Sequence, residues 1–256
     1  MNFHYKELVH GNDEANIAAM WGTPSAPVKP GQSPVIAEKL AVPDVSGMIP
    51  RPRLMGLLED STSTFAATLI MGRAGTGKTA AAAEFTHTVR RAAWYSLGPG
   101  DVDWRVFSAH FAAAVTGRER VSGATSEQTA NVSRAAIERF IAGRLNEGLA
   151  PDILVIDDIH HIFDAPWFED ALLSLISLVS PSMRLVLTCR SRPPAPLWRS
   201  RSKQLLNVID EKQLAFDHKE CTELFTKHGL SAAAAADAHR RTYGRAARLV
   251  QAVKSR

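Results

Sequence analysis

Cysteine is scarce in this sequence. Cys189 and Cys221 lie far apart in unrelated contexts, with no CxxC spacing, so neither a disulfide framework nor a cysteine metal site organises the chain. Long apolar runs are missing too: no stretch approaches the roughly 20 residues of a membrane helix. Met1 to His10 lacks the basic and apolar regions of a signal peptide. A soluble, cytoplasmic protein that contacts no membrane is expected. What is present suffices for a full core, because 45% of the 256 residues are hydrophobic and 22% charged. The net charge of +4 is small but uneven, with Arg184, Arg190, Arg192, Arg199, Arg201, Lys203, Arg240, Arg241, Arg245 and Arg248 all in the last third. That region shows no recognition-helix or stacking-aromatic pattern, so direct DNA binding by this chain is not expected.

Along the chain, Met1 to Val45 carries Pro24, Pro27, Pro30, Pro34 and Pro43, which no long helix or central strand tolerates. Residues 1–47 therefore read as an extended lead-in. Apolar runs at Ala67–Met71, Ala92–Leu97, Ile153–Ile156, Arg184–Thr188 and Leu205–Ile209 read as strands, continuous as in a sheet buried on both faces. Between them, Thr79–Arg90, Asp103–Val115, Val132–Asn146 and Trp167–Leu178 read as helices, with Thr116 to Asn131 a polar surface excursion. This alternation predicts a five-stranded parallel sheet covered by helices on both sides, spanning 48–212. After Phe216 only helical patterns remain, the first opened by a D-x-x-E capping box at Asp217 and Glu220. Residues 213–256 are expected to form a helical lid subdomain.

The chemistry concentrates in Gly72-Arg73-Ala74-Gly75-Thr76-Gly77-Lys78-Thr79, followed by Ala80. A G-x-x-x-x-G-K-T octet between strand and helix lets backbone N–H groups converge on phosphate oxygens, with the helix N-terminus behind them. Lys78 is expected to reach the β and γ phosphates of ATP or GTP, and the Thr79 hydroxyl to ligate Mg2+. Asp157 and Asp158 end the run Ile153–Ile156 at the sheet edge where α/β proteins bind ligands. Asp157 is the expected Mg2+ partner; Asp158 is expected to polarise the attacking water. The extra strand between the octet and the acidic pair, together with the second acid, points to the ATPase branch of P-loop proteins, an AAA-like fold. Arg190, just past the fourth strand, is placed to sense a γ-phosphate, with Arg192 as its competitor. His160 and His161 are adjacent, and neighbouring histidines usually point apart. No third ligand has suitable spacing, so packing or hydrogen bonding beneath the site is expected of them.

Six blocks, IPRPRLMGLL, MGRAGTGKT, AAWYSLGPGDVD, ILVIDDIHHI, RLVLTCRSRPP and QLAFDHKECTELF, occur in the order in which they resemble the nucleotide-binding domain of STAND ATPases. The resemblance is to the large ATP-binding LuxR-type (maltose-activator-like) transcription regulators, over about Met48 to Arg256. It implies a switch in which ADP holds a closed state, while inducer and ATP open it for self-association or a partner protein. It also implies that Lys78, Thr79, Asp157, Asp158 and Arg190 keep the roles above, and that Arg51 lines the nucleotide base. Where the family carries G-x-P in the helical subdomain, this chain reads Gly244-Arg245-Ala246, without the proline. The family's winged helix, inducer-binding repeats and DNA-binding helix-turn-helix do not occur in these residues. The expected function is a slowly hydrolysing ATP switch. An AAA-type loader or remodeller is the alternative, with Arg240, Arg241 or Arg245 available as an arginine finger, and a small-molecule kinase fits the paired acids less well.

Overall fold

The computed structural model describes residues 35–117, 132–147, 151–178 and 183–255. Most of the lead-in and of the Thr116 to Asn131 excursion lies outside them. Five parallel strands, β1 (Ala67–Met71), β2 (Ala92–Ser96), β3 (Ile153–Asp157), β4 (Arg184–Cys189) and β5 (Leu206–Ile209), form one sheet in the order β2-β3-β4-β1-β5. The register sets Met71 beside Cys189 and Ser96 beside Asp157, so the strands end together along one edge. All five expected strands are present.

Alternate strand residues enter different cores. Leu69, Tyr95, Leu154, Ile156, Leu185 and Leu187 pack with Phe107, Phe111, Ile137 and Leu172, from helices α3 (Trp104–Thr116), α4 (Arg134–Asn146) and α5 (Phe168–Leu178). On the other face Ile70, Trp94, Ile153, Val155 and Val186 pack with Leu54 and Leu58 of α1 (Pro52–Thr64), and with Ala81, Ala82 and Phe85 of α2 (Lys78–Thr86). A strand flanked on both faces must be apolar throughout, which is why these segments read as continuous runs.

The sequence expectation ended α2 at Arg90; it stops at Thr86. There Thr86 and Thr88 turn their hydroxyls onto the Ala83 and Phe85 carbonyls, competing with continued helix. Helices α1 and α6 (Ala195–Ser202) are not evident in the sequence because their apolar faces are short. In α1 only Leu54 and Leu58 among its apolar residues are buried, and the stripe continues with Ser61 and Thr62.

Beyond β5, a short α7 (Glu211–Leu214) leads to α8 (His218–Lys227), α9 (Ala232–Thr242) and α10 (Ala246–Lys254). These gather a small core of their own around Phe216, Leu224, Phe225, Ala235 and Leu249, joined by Ile49 from before α1. The capping box forms as the sequence suggested: the Asp217 carboxylate accepts from the Glu220 amide, and Glu220 accepts from the Asp217 amide. No helix among the described residues is long and apolar enough to cross a membrane.

Candidate functional site

The glycine loop leaves β1 at the edge where β3 and β4 also end. Gly75 (φ 76°) and Gly77 (φ 91°) occupy left-handed conformations, Gly77 as the residue that starts α2. Side chains disfavour that region, so glycine is needed where the chain must wrap around a small anion. Lys78 is 5% exposed, and its ammonium donates to the Arg73 carbonyl at 3.2 Å across the loop. Burial lowers its pKa, partly countered by Asp158, while Arg190 lowers it further. An additional anion would counter that lowering by favouring the charged ammonium.

Thr79 donates to both oxygens of Asp157, at 3.2 and 3.1 Å, bringing the two expected Mg2+ partners into contact. Asp157 is 4% exposed at the end of β3. Burial raises its pKa and Asp158 adds to the rise, against hydrogen bonds from Thr188 and Thr79. Thr188 is a site residue the sequence reading missed. Its hydroxyl donates to Asp157 at 2.5 Å and accepts from the Asp158 amide at 2.9 Å, so β4 fixes both acids at once. The signal was one polar residue inside the apolar run RLVLTC.

Asp158 turns left-handed (φ 57°), which an aspartate tolerates better than most residues. It precedes a 3-10 turn, Ile159–Ile162, without capping it by its side chain. Its carboxylate is gripped instead by Arg190, Nε to Oδ1 at 3.2 Å and Nη2 to Oδ2 at 2.7 Å. Arg192 is exposed nearby. The histidines depart from expectation: the rings of His160 and His161 lie side by side, centroids 4.3 Å apart. The 3-10 turn buries Ile159 and Ile162 and leaves both histidines half-buried on one side. His160 Nδ1 is buried without a hydrogen-bond partner, 3.7 Å from Asp158 Oδ1. Asp158 is the third group that sequence spacing did not reveal. Burial lowers the His160 pKa, against the pull of Asp158.

Arg51 is buried, and all three of its guanidinium nitrogens are hydrogen-bonded. It donates to both Glu220 oxygens and to the Leu214 and Ala215 carbonyls, with its guanidinium carbon 4.1 Å from the Phe216 ring centroid. Arg53 reaches the same carboxylate at 3.1 Å. Glu220 was read from the sequence only as a capping residue; its pairing with Arg53 was not foreseen, because 167 positions separate the two.

The segment Gly244-Arg245-Ala246 meets the glycine loop directly. The Ala247 amide donates to the Gly75 carbonyl at 2.9 Å, and Arg245 donates to the Ala74 carbonyl. A Cβ on Gly75 would lie 2.7 Å from that of Ala247. Ala246, which stands where the family pattern has proline, is the first residue of α10, a position whose amide has no partner within the helix. A cleft of about 150 Å3 remains between Arg73, Thr76, Glu211, Thr242, Arg245 and Arg248.

The sequence profile of the AAA ATPase domain family matches residues 51–188, more than half of the chain. Among solved structures, the Walker-type ATPase of Pyrococcus abyssi superposes with a TM-score of 0.52 at 12% identity, covering 82% of this chain and 68% of that one. The Orc1 protein of Aeropyrum pernix in complex with DNA gives 0.47 at 19% identity, covering 82% and 59%. The replication initiator DnaA bound to AMPPCP and single-stranded DNA gives 0.44 at 15% identity, covering 80% and 59%. This chain thus spans between about three fifths and two thirds of the length of these structures. At 12% identity the likeness to the Pyrococcus abyssi ATPase speaks to the fold, a P-loop α/β sheet, and to nothing narrower.

Proposed function

The chain belongs to the AAA ATPase domain family, and from that premise we propose that it is an ATP-binding, slowly hydrolysing molecular switch, the nucleotide-binding module of a signal-responsive transcription regulator. The observation that carries the reading is the double closure of the site. The start of α10 rests on the glycine loop, and Arg190 holds Asp158. In this reading the helical segment 213–256 acts as a lid, and its movement widens the cleft of about 150 Å3 left between Arg73 and Thr76 of the loop and Thr242, Arg245 and Arg248 of the tail.

In this reading the backbone of Gly72, Arg73, Ala74, Gly75, Thr76 and Gly77, with Ala80 behind, cradles the phosphates, and Lys78 gives up the Arg73 carbonyl for them. The residues present suit Mg2+, since Thr79 and Asp157 already share hydrogen-bonding distance with oxygen donors only. When bound, the ion neutralises phosphate charge. Asp158 orients the attacking water once Arg190 releases it, and Arg190 turns to the γ-phosphate, so one salt bridge reports which nucleotide is present. Arg51 lines the base once lid movement frees its guanidinium from Glu220 and from the Leu214 and Ala215 carbonyls. Lid opening exposes a surface for self-association or a partner protein, and ADP favours the closed form. The alternative, an energy-transducing loader or remodeller of the AAA type, differs in cycling continuously.

Paired titrations with ADP and ATP test the switch. Arg190→Ala should leave ADP affinity nearly unchanged and weaken ATP by roughly tenfold, the size of one charge-assisted contact. Lys78→Ala should lose both nucleotides while remaining folded. An unchanged ADP-to-ATP affinity ratio in Arg190→Ala removes the trigger, a changed ratio in Arg192→Ala transfers it, and full affinity in folded Lys78→Ala refutes the phosphate site.

A further inference from the structure

We propose that Asp158, His160 and His161 form a binding site for a zinc-type transition-metal ion, distinct from the Thr79–Asp157 pair, and that the bound ion takes Asp158 away from Arg190. One donor atom from each of the three residues lies within 4.8 Å of the other two. Bond lengths near 2.1 Å in a tetrahedral shell require donor atoms about 3.4 Å apart. Asp158 Oδ1 and His160 Nδ1, at 3.7 Å, nearly meet that spacing already. The widest separation closes by rotation of half-buried side chains, without moving the 3-10 turn that Ile159 and Ile162 anchor in the core.

A second observation points the same way. His160 Nδ1 is buried, faces the carboxylate and has no hydrogen-bond partner, although a buried polar nitrogen without one is costly. A metal ion would satisfy it. The rings of His160 and His161, tilted by 32° with centroids 4.3 Å apart, show that the local backbone brings both imidazoles to the same side, the requirement that adjacent histidines usually fail.

The donor set selects the ion. Two imidazoles and a carboxylate suit Zn2+, Co2+, Ni2+ or Cu2+, whereas Mg2+ and Ca2+ prefer all-oxygen shells. Three protein ligands leave a fourth position for water. The ion must compete with Arg190, whose guanidinium occupies both Asp158 oxygens from the solvent side and is half exposed. Metal binding and the Arg190–Asp158 pair are therefore antagonistic. The consequence for catalysis rests on the proposed role of Asp158: an occupied site would leave the glycine loop free to bind nucleotide but stop hydrolysis.

The test is titration of the purified chain, free of nucleotide and Mg2+, with Co2+, followed by its visible absorption and reversed by Zn2+. The wild type should show one saturable absorption step. His160→Ala/His161→Ala should bind at least tenfold more weakly. Arg190→Ala, a change at an exposed side chain, should bind several-fold more tightly because the competitor is gone. Unchanged cobalt affinity in the double histidine variant overturns the proposal, and so does unchanged or weaker affinity in Arg190→Ala, since incidental binding to other histidines would ignore that arginine. Cobalt absorption does not depend on ATP turnover, so failure of this site and failure of the switch are read separately. Zn2+ at concentrations that displace Co2+ should suppress hydrolysis by the wild type and spare the histidine variant.

Discussion

The sheet body hides large side chains on both faces: Phe107, Phe111, Trp104 and Tyr95 on one, Trp94, Phe85 and Leu58 on the other, each at most 1% exposed. The tail from Phe216 to Lys254 has a far smaller core, with two phenylalanines and several alanines. It meets the body largely through polar contacts: Arg51 and Arg53 on Glu220, Arg245 on Ala74, Ala247 on Gly75. Apolar burial is non-directional and tolerates small shifts, whereas a joint of charged hydrogen bonds has one geometry and fails abruptly when a partner is lost. A body built the first way and a tail joined the second way are expected to separate without the body unfolding.

The largest effect should follow from damage to the body. Phe107→Ala removes a fully buried ring that packs against Tyr95, Trp104, Phe111 and Trp167, and should cost roughly 3–5 kcal/mol of global stability. Denaturant unfolding should then shift for probes in body and tail together. If only the tail shifted, the division between the two regions would be wrong.

A smaller and more local effect is expected at the joint. Glu220→Gln keeps the shape but leaves the buried Arg51 guanidinium without its counter-charge, a loss of roughly 3 kcal/mol. Hydrogen exchange should accelerate in α8 to α10 while amides of β1, β3 and β4 stay protected. Uniform acceleration would show that tail and body unfold as one unit.

The smallest effect is a dependence on acid. Burial tends to raise the Glu220 pKa, but hydrogen bonds from Arg51, the Asp217 amide and Arg53 outweigh it and hold the carboxyl below its ordinary value. A depressed pKa contributes stability that is fully present above the unfolded value, roughly pH 4.3, and is lost as pH falls through the folded value. Tail docking should therefore be flat near neutrality and weaken below about pH 4, and this dependence should vanish in Glu220→Gln. A docking equilibrium that weakened equally in both proteins would assign the acid sensitivity to other carboxylates.

How far the sequence reaches differs between the same two regions. The five strands were legible because burial on both faces leaves an unbroken apolar run, and the glycine loop because Gly75 and Gly77 serve a local backbone need that no distant residue supplies. The box at Asp217 and Glu220 was legible for the same reason, being closed within one turn. Helix α6, with its arginines and serines, showed no such period. Neither did the roles of Thr188, Arg53 and Arg245.

By itself, then, the sequence determined the parallel sheet, its anion-cradling loop and the pair of acids at one strand end, because each depends on neighbours within a few residues. Only the tertiary structure decided that Thr188 holds both acids, that Arg190 closes on Asp158, that His160 and His161 share a side with that carboxylate, and that Glu220 doubles as helix cap and counter-ion for Arg51. Apart from the local Asp158–His160–His161 cluster, those pairings join residues across strand order and across 169 positions between Arg51 and Glu220. Local propensity carries no record of such distances; they are set when the packed cores fix where each element ends.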